Sequence, residues 1–138
     1  MFIRDYDGRL LNTNFVVQFD VFGYKVKVKK TTNGEFYYTT GGQLEAKKLL
    51  QDIGNALARG DIFFDITDKY YSLSCIISGS FKVTSIKYEE TCFDDIEYRI
   101  VSAECVHCKH SIEFGDLDEI SDIEEKLKHE CTQEEKEQ

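Results

Sequence analysis

From residue 14 to residue 40 the apolar positions alternate with polar ones in short runs. Residues 14–30, NFVVQFDVFGYKVKVKK, read as two strands around a turn near Phe22 and Gly23. Val26 and Val28 alternate with Lys25, Lys27 and Lys29, which gives the second strand one wet face. Asn33-Gly34 is a tight-turn signal, so 35–40 (EFYYTT) is expected as a third strand across it. Gly41-Gly42 breaks the alternation and the period then changes. Over 43–59, Leu44, Leu49, Leu50, Ile53 and Leu57 share one helical face, with Ala46 and Ala56 alongside. Gly60 follows, where a helix C-terminus favours a residue free to take positive φ.

A second β-rich stretch runs from 61 to 104. DIFFDIT, YYSLSCIIS, SFKVTSIKY and DIEYRIVSAE carry β-branched and aromatic residues at roughly alternate positions, and each is expected as a strand. Ser78-Gly79-Ser80 and the acidic EETCFDD supply turns. One clear helix leaves little material for crossovers, so the pairing is expected to be mostly sequential and antiparallel. Beyond Cys105, HSIEF reads as a short strand and 116–128 as a helix with Leu117, Ile120, Ile123 and Leu127 in period. Acids crowd its first turns, and Lys126 and Lys128 lie in its last, as the helix dipole favours.

Cysteine placement changes the picture of that final segment. Five cysteines suit no disulfide framework, and a cytosolic chain keeps them reduced. Cys75 lies in an apolar run and reads as a small buried hydrophobe, while Cys92 is flanked by acids that disfavour a reactive thiolate. The other three, with all three histidines, fall within 105–131. Cys105-Val-His-Cys108 is a C-x-x-C pair, and His129-Glu-Cys131 follows after a strand, a turn at Gly115 and a helix. Cys105, Cys108, His129 and Cys131 are therefore the expected ligands of a closed, structural Zn2+ site. Positions i and i+2 on an ideal helix point about 200° apart, so the helix must end near His129 for both donors to bind. His110 in place of His129 is the other open set.

The expected architecture is α+β: a mostly antiparallel sheet with one packed helix over 1–104. A zinc-bound strand-helix module with an acidic tail occupies 105–138, continuous with the sheet.

Charge narrows the function. The net charge is −9, and 113–138 alone holds eleven acids against Lys126, Lys128 and Lys136. Such a field repels phosphate backbones and attracts basic surfaces, which speaks against direct nucleic-acid binding. The one basic strip is Lys25, Lys27, Lys29 and Lys30, facing Phe36, Tyr37 and Tyr38 across the turn; alternating lysines usually mark a solvent face. No apolar run approaches the ~20 residues that span a bilayer, and the first residues are polar and acidic, so a cytoplasmic protein with no membrane contact is expected. H-E-x-x-H, G-x-S-x-G and the P-loop are absent, and without proline the deaminase P-C-x-x-C cannot occur, so no enzyme is expected.

What remains is an acidic, zinc-stabilised binding protein rich in Tyr and Phe, the favoured interface anchors. CVHC at 105–108, HEC at 129–131 and the acidic helix 116–130 resemble features of phage anti-CRISPR proteins that act on type II CRISPR effector nucleases and include a zinc-binding member. The resemblance lies in the C-terminal quarter. It implies inhibition by binding the effector and stopping target DNA from loading, in the host cell cytoplasm. Asp118, Glu119, Asp122 and Glu125 are then the expected partner-binding residues. A zinc-ribbon module that touches nucleic acid directly in transcription, and a structural subunit of a larger assembly, are the two other readings.

Overall fold

The computed structural model describes residues 1–32, 34–77, 80–90 and 97–128. The chain is α+β, and it divides into two compact units, 1–76 and 77–138. Residue 105 lies in the second unit, at the end of a strand of its sheet.

In unit 1–76, β3 (Val16–Phe22), β4 (Lys25–Lys30) and β5 (Glu35–Thr39) form an antiparallel sheet in that order. Val26 and Val28 are fully buried on one face of β4, so the alternation in the sequence sets which face meets the core. Helix α1 (Gln43–Arg59) packs on β3 and β4 through Leu49, Ile53 and Ala46. It stops at Gly60, whose φ of 76° lets its N–H reach back to the carbonyls of Ala56 and Leu57. Leu57, expected on the core face, is largely exposed one turn before that end. Before the helix, Gly41 is obligatory for another reason. A Cβ there would lie 2.1 Å from the carbonyl oxygen of Tyr71.

The first strands were not legible in the pattern. β1 (Phe2–Arg4) pairs antiparallel with β2 (Leu10–Asn12) and parallel with β6 (Phe63–Asp65), the one parallel pair among the described residues. A second departure is YYSLSCIIS, expected as a strand. It forms two 3₁₀ turns, Asp68–Tyr71 and Leu73–Cys75. Tyr70, Leu73 and Ile76, all buried, recur every third residue, which is the period of a 3₁₀ turn and not of a strand. Ser72 reinforces the choice by accepting the backbone N–H of Ser74.

In unit 77–138, β7 (Phe81–Glu90), β8 (Glu97–Cys105) and β9 (Ser111–Gly115) form an antiparallel sheet with β8 in the centre. A short helix, α2 (Ile120–Leu127), packs on β9 through Ile120 and Ile123. The expected helix began four residues earlier. Its acids instead serve a turn: Asp118 accepts the N–H of Gly115 at 2.8 Å, and Asp116 accepts that of Arg99 at 2.8 Å. Leu117, expected on the buried face, is consequently 62% exposed.

Asp116 also holds the Arg99 guanidinium, with Nη2 at 2.9 Å and Nε at 3.2 Å from its carboxylate. Both side chains are largely buried, so this pair locks the β9–α2 turn to β8. Removing one partner of a buried pair costs about 3 kcal/mol or more. Asp116→Ala is expected to destabilise unit 77–138 by that order, and Asp116→Asn by less, since an amide oxygen still accepts the Arg99 N–H. Urea unfolding of both variants, followed by probes in each unit, checks this; an unshifted midpoint for Asp116→Ala contradicts it.

Candidate metal loop and charged surfaces

The C-x-x-C pair occupies the tip of the β8–β9 hairpin. Cys105 ends β8 and is 1% exposed, on the face that carries Val101 and Ala103; Cys108 is half-buried in the loop. The loop closes through two backbone bonds, Cys105 N–H to His110 O at 2.8 Å and Lys109 N–H to Cys105 O at 3.0 Å. Lys109 reaches that geometry with φ 67°, the one positive φ outside glycine among the described residues. A third bond, Val106 N–H to Ser80 O at 2.7 Å, ties the loop to the chain entering β7. Both thiols are thus held on one short, closed turn, and neither is in a disulfide.

The thiolate pair and imidazoles of this segment are the donor chemistry that zinc selects. Among the described residues, no three His, Cys, Asp or Glu converge as a metal site requires. Cys105, Cys108 and His110 therefore do not form one alone, and His107 and His110 are exposed on the loop. His129 and Cys131 lie outside the described residues, as does Cys92.

The acidic positions divide by role. Glu119, Asp122 and Glu125 are exposed at the start and along the outer side of α2. Asp118 is half-buried and engaged with Gly115, so it is a turn residue first. The acids Glu130, Glu134, Glu135 and Glu137 lie outside the described residues. The division into units sharpens the charge pattern. Residues 77–138 carry seven Lys and Arg against seventeen Asp and Glu, a net −10, while 1–76 carry ten against nine, a net +1.

Lys25, Lys27 and Lys29 lie on the outer face of β4, whereas Lys30 has the parity of Val26 and Val28, its Nζ 5.8 Å from the Phe36 ring. Lys27 pairs with Glu35 at 3.3 Å, and the Nζ of Lys25 stands 5.2 Å from the Tyr24 ring and 5.4 Å from that of Tyr37. Phe22 joins Tyr37 at a centroid distance of 6.3 Å. Three exposed rings around a lysine were not anticipated as a group, because only the strand register brings Phe22 and Tyr37 to either side of β4.

No helix of the described residues is long and apolar enough to cross a membrane. The chain matches no protein-family model, no curated protein and no solved structure.

Cys75 is the remaining thiol. Burial raises its pKa to about 12, with Glu45 and Asp52 adding to the effect and Lys48 and Lys69 opposing it. The raised value keeps the neutral thiol in the folded chain, so Cys75 is no nucleophile near neutral pH. Its alkylation by iodoacetamide is expected to keep accelerating as pH rises well beyond the ~8.5 of an ordinary thiol. Peptide mapping against pH measures this, and a plateau near the ordinary value contradicts the burial. The same shift is without effect at neutral pH, where the thiol is neutral folded or unfolded, and it lowers stability as pH climbs from about 9 towards about 12.

Proposed function

We propose that this chain is a zinc-stabilised inhibitor whose acidic unit, 77–138, captures a basic nucleic-acid-handling protein and keeps nucleic acid from loading on it. The observation that carries the reading is the segregation of charge, −10 on 77–138 against +1 on 1–76. Charge spread for solubility alone has no reason to favour one unit. A concentrated field steers a basic partner and competes with phosphate for the same surface. Glu119, Asp122 and Glu125 present it from α2, with Asp118 holding the turn behind them.

Zinc supplies what this unit's core lacks. Eight of its described apolar side chains are buried: Phe81, Val101, Ala103, Cys105, Ile112, Phe114, Ile120 and Ile123. A unit of this size with so small a core usually needs a staple. Cys105 and Cys108 would hold the ion from the hairpin tip. His129 and Cys131, in the segment that follows α2, would complete the set. The ion would be structural, with all four positions taken by protein.

About one zinc per chain is expected by elemental analysis. Cys105→Ser and Cys131→Ser should abolish it, and His129→Ala should lower it while His110→Ala does not. Full zinc in His129→Ala, lost instead in His110→Ala, moves the fourth ligand.

A type II CRISPR effector nuclease is the partner to test first. In a gel shift, guide-loaded effector is incubated with this protein before labelled target DNA is added. Loss of the effector–DNA band supports the proposal. Glu119→Lys, Asp122→Lys and Glu125→Lys combined should restore the band without loss of zinc. An undiminished band removes this effector as the partner. The exposed rings of Phe22, Tyr24 and Tyr37 around Lys25 favour a second reading, direct contact with single-stranded nucleic acid, since rings stack on bases and lysine meets phosphate. A shift with DNA and this protein alone, lost in Tyr37→Ala and Lys25→Ala, would support that one.

A further inference from the structure

β7 is ten residues long and lies at the edge of its sheet, and only Phe81 of the ten is buried. Its register makes that exposure unusual. Val83 stands opposite Ala103 and Ile86 opposite Val101, and both partners are buried on the face that meets α2. Helix α2 packs on β9. Val83, Ile86 and Tyr88 are left 39%, 40% and 63% exposed as an apolar strip along the uncovered side.

The backbone of the same residues is also open. Cys105 N–H bonds to His110 O, and Asp116 N–H to Arg99 O, so alternate residues of β8 from 99 to 105 turn their backbone groups towards β9. Ile100, Ser102 and Glu104 therefore turn theirs towards β7, to meet Lys87, Ser85 and Lys82. By alternation, the N–H and C=O groups of Ile86 and Tyr88 point to the free edge, where no described strand pairs with them. Long, flat, apolar edges are normally blocked because they recruit other strands. This one carries a bulge near Val83 and Ser85 but runs regularly beyond it.

We infer that β7 is a docking edge that adds an extended, basic segment of the partner as a fourth strand of the sheet. This deepens the reading given under Proposed function and rests on it for the partner's charge. Main-chain bonds to Ile86 and Tyr88 give affinity, and alternate apolar side chains of the incoming strand cover Val83, Ile86 and Tyr88. Charge fixes the rest. Glu89 and Glu90 end β7 opposite Tyr98 and Glu97, beside a groove of about 370 Å³ that Glu113 and Leu117 also line. The two cations of that groove are engaged: Arg99 by Asp116, and Lys126 by the Glu113 carbonyl at 2.6 Å. Lysine or arginine on the incoming strand meets these carboxylates. A second copy of this chain would instead bring another net −10 against them.

The test uses the full chain and a labelled peptide of alternating Lys and Val. Beside it goes the same peptide N-methylated at alternate residues, equal in charge but unable to pair as a strand. In fluorescence anisotropy, the plain peptide should bind at least about tenfold more tightly than the methylated one. Ile86→Pro and Tyr88→Pro should erase that difference. Each removes an N–H that faces outward and leaves the β8 ladder intact, so the fold survives. The combined reversal of Glu119, Asp122 and Glu125 should lower both affinities together and preserve their ratio. Equal binding of the two peptides would overturn the docking edge and leave attraction by charge. So would a ratio unchanged by either proline, or a dimer in light scattering that Ile86→Pro dissolves. Tight, edge-dependent peptide binding with no effect on the effector gel shift would keep the edge and remove only the proposed partner.

Discussion

Unit 77–138 depends on one buried ion pair. Arg99 projects from the central strand, and Asp116 caps its backbone and its guanidinium together. That double contact sets where β9 ends and the turn begins. It therefore sets how α2 returns over the sheet and which edge it leaves bare. In a unit so rich in acids, Asp116 is a carboxylate used for structure, while Glu119, Asp122 and Glu125 remain on the surface. The same residue type thus does two jobs, and burial next to a cation separates them.

The two units solve the problem of a small chain differently. Residues 1–76 gather Ile3, Val26, Val28, Leu49, Ile53, Ile66 and Tyr70 into one core between sheet and helix. Tyr70 satisfies its hydroxyl by donating to Asp52 at 2.6 Å, itself bridged to Lys48 at 3.3 Å. The second unit has less apolar mass and far more charge, so self-repulsion works against its compaction. A metal bound at the hairpin tip would offset that, since structural zinc can add on the order of 10 kcal/mol to the folding of a small module. Zinc and acidity would then be linked, the staple permitting the charge that the proposed interface uses.

Strong periods were legible in the sequence. Helix α1 fell on 43–59 as read, because five apolar residues keep a 3.6 period and glycines bracket it. β3, β4 and β5 followed from the valine–lysine alternation and the turn signals. Alternating Leu73, Cys75 and Ile77 concealed the three-residue spacing of Tyr70, Leu73 and Ile76, so a strand was expected where 3₁₀ turns formed. β1 and β6 are three residues each and pair across some sixty positions, a contact that no local pattern encodes. The C-x-x-C loop was visible by spacing alone. The exposed edge of β7 was not, because strand order within a sheet is a tertiary fact.

Backbone amide exchange reads directly where the partner touches. Hydrogen exchange would be measured on this protein alone and bound to the guide-loaded effector nuclease. Slowed exchange is expected at Ile86, Tyr88 and along α2, with the amides of 1–76 unchanged. Protection confined to the outer face of β3, β4 and β5, with β7 and α2 exchanging as in the free protein, would contradict it.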